Sequence, residues 1–134
     1  MARCTTELGI KFKPIQGYTR SELIDLFRHS KLYIDFGVFS GRERLPREAV
    51  MCGCCILTST QGTAGYYLDN PIPDKYKLED VDEAIKAIEH VLENYEACRI
   101  DFEFYREALK QDKKNYLKEV EDLYNVILSN YSCL

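Results

Sequence analysis

Three arginines and a glutamate lie close together at Arg42, Arg44, Arg47 and Glu48. The residue pattern predicts that they follow a strand and a glycine-bearing loop, and that they begin a short helix that leads into another strand. An α/β protein forms phosphate and sugar sites in this way, at the carboxyl end of a parallel sheet. The stretch therefore predicts a binding site for a phosphorylated, sugar-containing ligand.

The three arginines have two interpretations. A guanidinium group matches two phosphate oxygens at once, and the N–H groups at the start of a helix add donors in the same place. Alternatively, Arg42, Arg44 and Arg47 form a solvated face with local ion pairs, such as Arg44 with Glu48, which contribute little to stability. The spacing alone leaves both open.

Glu48 is equally ambiguous. A carboxylate in the first turn of a helix gains roughly 0.3–1 kcal/mol from the helix dipole, without any function. In dinucleotide-binding folds, however, an acidic side chain accepts hydrogen bonds from ribose hydroxyls. Arg20 and the glycine-bearing segment Gly62-Thr63-Ala64-Gly65 are expected to close the same site from neighbouring strand ends.

The chain has 134 residues, of which 46% are hydrophobic and 30% charged, as in an ordinary globular domain. We expect a single domain over residues 1–134, with an α/β core and the site loops in 1–78 and helices in 79–134. No apolar run reaches the ~20 residues that cross a bilayer, and the N-terminus lacks the apolar core of a secretory signal. A cytoplasmic location is the expectation.

The net charge is −4, but it is unevenly distributed. Residues 1–50 hold nine Lys/Arg against six Asp/Glu, whereas the remainder holds nine against sixteen. The acidic total argues against nucleic acid as a partner, and the basic first half suits a small anionic ligand.

The cysteines Cys52, Cys54 and Cys55 form a cluster without the Cys-x-x-Cys or histidine spacing of a metal site. We therefore expect buried, reduced thiols with a packing role. No Ser-His-Asp or Cys-His arrangement is evident, because the chain has only two histidines, His29 and His90, and they are poorly placed for one. No carboxylate cluster suited to Mg²⁺ is evident, so neither a metal nor a cofactor is expected.

Alternating or continuous apolar residues predict strands over 8–15, 32–38 and 54–59. A helix begins at the capping box Thr19–Glu22, and a second contains Pro46 in its first turn. Strands and helices that alternate with short connections predict a parallel sheet.

The chain after Asp80 is predicted to be helical, because Val81, Ile85 and Ile88 recur at helical spacing. Near the C-terminus, apolar residues recur every three or four positions as a short heptad seam. A terminal helix packed on the domain is the preferred interpretation and a coiled coil the other; the seam residues are Leu117, Val120, Tyr124, Ile127 and Tyr131.

The segment from Ser40 to Gly53 resembles the C-terminal half of GT-B-fold glycosyltransferases of the group 1 type. Those proteins carry a Glu-Gly-Phe-Gly loop, then Glu-Ala-Met-Ala-x-Gly and an apolar strand that ends in Thr or Ser. Here Glu48-Ala49-Val50-Met51-Cys52-Gly53 matches the second part. The resemblance implies a three-layer, Rossmann-like parallel sheet with long C-terminal helices.

The same resemblance implies a nucleotide-diphosphate-sugar as the bound substrate. Glu48 would contact the ribose, the loop from Ile15 to Tyr18 would lie near the base, and the loop from Ser40 to Arg44, with Gly41, would lie near the sugar and diphosphate. Ser40 stands where the family has its first glutamate, so the resemblance names no catalytic residue.

We therefore expect a donor-binding glycosyltransferase-like domain that is incomplete alone, since the family's acceptor domain is absent. That half would come from an adjacent domain, a partner subunit or a homo-oligomer. The alternative is a non-catalytic nucleotide-sugar-binding or protein-interaction scaffold module. A response-regulator-like domain is a third option, but the acidic pair that it needs after its first strand is not seen.

Overall fold

The computed structural model describes residues 9–131 as a mixed α/β fold with a small parallel sheet and a long C-terminal helix. Strands β1 (Leu32–Asp35) and β2 (Cys55–Thr58) pair with Leu32 opposite Cys55 and Asp35 opposite Thr58. The helices are α1 (Arg20–Arg28), α2 (Arg44–Met51), α3 (Val81–Glu93), α4 (Tyr95–Ile100) and α5 (Glu103–Tyr131).

Helix α1 begins at the predicted capping box. The Glu22 backbone N–H donates to Thr19 Oγ1, and the Thr19 N–H donates back to Glu22 Oε2 at 2.8 Å. Two N–H groups that lack partners inside the helix are thereby satisfied. The helix then buries Leu23 and Phe27. Because a short connection leads from its C-terminus into the start of β1, its N-terminus, with Arg20, lies towards the carboxyl edge of the sheet.

Strand β2 is the centre of the hydrophobic core, and all four of its side chains are buried. Phe102 and Tyr76 pack together with their ring centroids 4.8 Å apart, and Phe102 is fully buried. Cys54 and Cys55 are also fully buried, and Cys54 Sγ donates to the carbonyl oxygen of Phe27 at 3.2 Å. The packing role predicted for these two thiols is confirmed.

The strand predicted over 8–15 is wrong where it can be checked. Leu8 lies outside the described residues, and residues 9–15 form neither helix nor strand. Ile10 and Phe12 nevertheless pack against the core, which explains their apolar pattern without a strand. Pro14 lacks the N–H that a ladder needs. The sheet in the described chain therefore has two strands rather than three.

The long connection after β2 is anchored rather than free. It includes 3₁₀ turns at Thr63–Gly65 and Asp74–Tyr76. Between the turns, Asn70 is buried and donates to Thr58 Oγ1 and to the Ala64 carbonyl, both at 3.0 Å. Lys77 then forms a parallel bridge with Thr58. The connection thus returns to the sheet beside β2.

Helix α5 departs from the preferred prediction for the C-terminus. Phe102, just before it, and Tyr105, in its first turn, are buried, but Leu117 is 56% exposed and Tyr124 60% exposed. The side chain of Tyr131 lies outside the described residues. The outer half of α5 is therefore not packed on the domain. Over residues 9–131, no helix combines the length and the apolarity needed to span a membrane.

Candidate functional site

The loop between β1 and α2 is held by Glu43. Its Oε1 accepts from the backbone N–H of Ser40 at 3.0 Å and from Ser40 Oγ at 3.1 Å. Glu43 occupies the N-cap position of α2, but its side chain makes no hydrogen bond to the helix N–H groups. The first turn of α2 contains no acidic residue. The N–H groups that begin this helix are therefore left without a side-chain acceptor, although the Glu43 carboxylate lies at the same end.

Glu48 lies one turn further along α2, between two guanidinium groups. Its Oε1 is 3.8 Å from Arg20 Nη2 and 3.9 Å from Arg44 Nε, and its side chain is 18% exposed. Both arginine side chains are mostly exposed, at 75% and 63%. Long, exposed pairs of this kind contribute little to stability, so both guanidinium groups can turn to another anion at small cost.

The second carboxylate oxygen of Glu48 is in a different state. Oε2 is buried and has no hydrogen-bond partner within the described part of the chain. A buried acceptor without a donor costs about 1–3 kcal/mol, and most buried polar atoms in folded proteins are paired. The carboxylate therefore has hydrogen-bonding capacity that the fold itself does not use.

Arg42, in the loop before α2, and Arg47, on α2, make other contacts. Arg42 Nη2 is 3.0 Å from Asp112 Oδ2 of α5, and Arg47 Nε donates to the carbonyl oxygen of Glu43 at 3.1 Å. Burial raises the pKa of Tyr105, and the charges of Arg47 and Arg42 partly offset that rise. The three arginines thus do not converge: Arg44 approaches Glu48, whereas Arg42 and Arg47 face α5.

The predicted glycine-bearing segment does meet the first loop. Thr63 Oγ1 donates to the carbonyl oxygen of Gly41 at 2.8 Å, and the Thr63 N–H donates to the Phe39 carbonyl at 3.0 Å. Gly62 has a φ of +65°, and a Cβ on it would lie 2.1 Å from the Phe39 carbonyl oxygen. Only glycine permits this close approach. The structure therefore brings together Gly41, Gly62 and Thr63.

Tyr18 lies next to Thr19, at the end of α1 that also carries Arg20, and it is 39% exposed. Its ring is thus partly accessible, two residues before Arg20. Seven of the sequence-predicted residues thus form two groups, apart from Arg42 and Arg47, which face α5, and from Tyr18. Arg20, Arg44 and Glu48 form one group, and Ser40, Gly41, Gly62 and Thr63 form the other.

A second concave region was missed by sequence reasoning. An apolar pocket of about 400 Å³ lies where β1 and β2 end, beside the N-terminus of α3. Ile34, Leu78, Ala84, Ile85 and Ile88 line it, and Phe12 closes one side. These residues come from separate segments of the chain. The helical spacing of Ile85 and Ile88 was visible in the sequence, but it indicates a buried face and not a cavity.

The cysteine cluster does not form a metal site. Across residues 9–131 there is no group of three or more His, Cys, Asp or Glu side chains that could hold a metal ion. Cys52, Cys54, Cys55 and Cys98 are free thiols. Burial raises the pKa of both Cys54 and Cys55 to about 12, so these thiols are neutral near pH 7.

Comparison with protein-family models, with curated proteins and with solved structures gives no match for this chain.

Proposed function

We propose that the domain binds a nucleotide-diphosphate-sugar as the donor half of a glycosyltransferase-like protein. The observation that carries the proposal is the state of Glu48. Its Oε2 is buried and has no donor among the described residues, beside two exposed guanidinium groups that are only loosely engaged, so a ligand reaches this oxygen when those side chains turn aside. A sugar hydroxyl and a phosphate group, adjacent in one ligand, complement these two features.

Each part of the ligand has a counterpart in this arrangement. A ribose hydroxyl donates to the Glu48 carboxylate, and the diphosphate is contacted by Arg20 and Arg44. The loop from Ser40 to Gly41, fixed by Thr63, faces the donor sugar. Positive groups at the diphosphate also stabilise the charge that develops on it as the glycosyl bond breaks, which is the form that catalysis takes in this proposal.

The proposal includes a finer account of the fold, in which the two strands belong to a three-layer, Rossmann-like sheet. The parallel bridge between Thr58 and Lys77 supports it, as does the hydrogen bond of 2.8 Å from the Leu78 N–H to the Thr58 carbonyl. Both extend parallel pairing beyond β2 in the direction that a third strand would take. The α2 crossover between β1 and β2 is the connection that such sheets use.

The test is titration of the folded chain with UDP-, GDP- and ADP-sugars, followed by calorimetry and by the shift in melting temperature. Inorganic pyrophosphate and the free sugar serve as controls, because each presents only half of the proposed ligand. We expect saturable binding of one nucleotide class, tighter than either control. Absence of binding by all three classes, in a sample shown to be folded by circular dichroism, contradicts the proposal.

A second candidate function, a protein-interaction module, is favoured by α5. Its outer half exposes Leu117, Val120, Tyr124 and Ile127 at alternating spacings of three and four, by 44–60% of their surface. Such a seam is self-complementary, so its occupant in this reading is a second copy of the chain.

Sedimentation of the wild type and of Tyr124→Glu distinguishes this second function, with Asn125→Glu as the matched control. A charge at position 124 should dissociate a dimer, whereas the same charge one position along leaves it intact. If the wild type remains monomeric at all concentrations tested, the proposal that α5 mediates self-association is contradicted.

A further inference from the structure

The apolar pocket beside α3 lies apart from the Glu48 group. Ser59, Thr60 and Gln61, at the end of β2, line it on one side. The same segment continues into Gly62 and Thr63, which contact the loop at Phe39 and Gly41. The segment therefore separates two regions at one edge of the sheet. The pocket volume of about 400 Å³ lies in the range of small-molecule sites.

The pocket floor is apolar. Ala84 and Ile88 are nearly fully buried, and Ile34, Leu78 and Ile85 are partly buried against the core. Phe36 and Val81, at 38% and 71% exposure, stand among the lining residues as open apolar surface. A ring or a short aliphatic chain that fills this space removes both its own surface and these side chains from water.

The polar side chains of the lining are acidic or neutral. Glu79 and Asp80 are both exposed, and none of the residues that line the pocket is Lys, Arg or His. Asp80 Oδ2 is engaged as the N-cap of α3, accepting from the N–H groups of Asp82 and Glu83 at 3.0 and 3.1 Å. Glu79 Oε1 accepts from Thr60 Oγ1 at 2.6 Å. This hydrogen bond orients the Glu79 carboxylate.

We propose that this pocket binds a small amphipathic amine, with the apolar part against Ile34, Ile85 and Ile88 and the ammonium group against the Glu79 carboxylate. A diphosphate does not suit this pocket. The carboxylates of Glu79 and Asp80 would repel its negative charge, and no cationic side chain lines the pocket to offset that repulsion. The acidic first turn of α3, with Asp82 and Glu83, also offsets the positive end of that helix. The proposal does not depend on donor binding at Glu48.

Three probes of one shape test the ligand class: 1-naphthylmethylamine, 1-naphthalenemethanol and 1-naphthoate. They differ in charge at the same position, and heteronuclear NMR reports both affinity and location. We expect the amine to bind about fivefold more tightly than the alcohol, as for an exposed ion pair, and the carboxylate to bind most weakly. Shifts should centre on Ile34, Ile85 and Ile88. Equal or tighter binding of the carboxylate, or no binding of any probe, overturns the proposal.

Glu79→Gln tests the counter-ion directly, since the amide oxygen can still accept from Thr60. Affinity for the amine should fall about fivefold, to that of the alcohol, and affinity for the alcohol should not change. The matched control is Glu83→Gln. It removes one negative charge, as Glu79→Gln does, but Glu83 lies in the first turn of α3 and does not line the pocket. Amine preference that survives in Glu79→Gln, or that is lost equally in both variants, contradicts the assignment.

Discussion

The Glu48 group and the apolar pocket lie at the same edge of one small sheet, yet they have opposite chemistry. The first presents Arg20, Arg44 and a carboxylate with an unpaired buried oxygen. The second presents an apolar floor beneath Glu79 and Asp80. Only the first has the cations that a diphosphate requires, so the position of a pocket at the carboxyl end of strands does not by itself identify its ligand.

The helix termini show how this difference arises. Helix α2 has an acidic N-cap, Glu43, but that carboxylate is bonded to Ser40 and not to the helix N–H groups, and the first turn contains Arg44 and no acidic residue. Helix α3 begins with Asp80 as its N-cap and has Asp82 and Glu83 in its first turn. The N–H groups at the start of α2 are therefore left without a side-chain acceptor, whereas those at the start of α3 are capped by Asp80. Side chains of the first turn, rather than the sheet, decide which anions can approach.

The largest predicted effect is a loss of stability at high pH. It concerns both regions, because it arises from two thiols in and just before β2, the strand that supports them. Burial raises the pKa of Cys54 and Cys55 from 9.0 to about 12. Above pH 9 the unfolded chain loses these protons while the native chain keeps them. The free energy of unfolding should therefore fall as pH rises from 9 to about 12. Each of the two thiols contributes at most about 1.4 kcal/mol for each pH unit.

Urea unfolding followed by circular dichroism across that pH range measures the slope. Tyr33 and Tyr76 add a loss of the same sign at higher pH, because burial raises each pKa, whereas burial lowers the pKa of Lys77 and opposes it. Cys54→Ala should flatten the curve. A slope unchanged by this substitution would mean that the thiol is not protected from ionisation in the native state.

The next effect concerns the segment that separates the two regions. Gly62→Ala places a Cβ against the Phe39 carbonyl oxygen at a φ of +65°, so it should destabilise the domain by about 1–3 kcal/mol. It should also displace Thr63 from Gly41 and weaken nucleotide-sugar binding. In Gly41→Ala the added Cβ meets no atom within 4 Å, which makes it the matched control. Equal stability of the two variants, in thermal unfolding, would show that the close approach is not important.

A smaller effect should be confined to the Glu48 group. Thr19→Ala removes the side-chain cap of α1, the helix that carries Arg20, and should cost about 1 kcal/mol of stability. Nucleotide-sugar affinity should fall slightly, while affinity for the amine probe in the apolar pocket should not change. Ser21→Ala, within the same turn, is the control. Parallel losses at both regions would show that α1 supports them equally.

The contrast also explains what the sequence could predict. The capping box at Thr19, the glycine-bearing loops and the Glu48 stretch are contiguous signals, and their elements form where expected. The apolar pocket is lined by residues from separate segments of the chain, so no local sequence pattern predicts it. The strand predicted over 8–15 was wrong because apolar alternation indicates that residues such as Ile10 and Phe12 pack against the core, but not that a partner strand exists.

Two further errors have the same cause. Arg42 was expected beside Glu48, but Asp112, far along the chain, draws it towards α5. The seam on α5 was expected to pack on the domain, but the helix is 29 residues long and its outer half extends beyond the core, with its apolar residues exposed. Spacing predicts which residues share a helix face; it does not predict what that face meets.

The most direct test of the central claim is calorimetric titration of the wild type and of Glu48→Gln with the nucleotide-sugar that binds best. Glu96→Gln, an exposed carboxylate on α4, is the control for the change in charge. Since a hydrogen bond to a charged acceptor contributes about 1.5–3 kcal/mol, affinity should fall at least about tenfold in Glu48→Gln and stay unchanged in the control. An affinity that is the same in the wild type and in Glu48→Gln would contradict the account and leave Glu48 with a role in α2 alone.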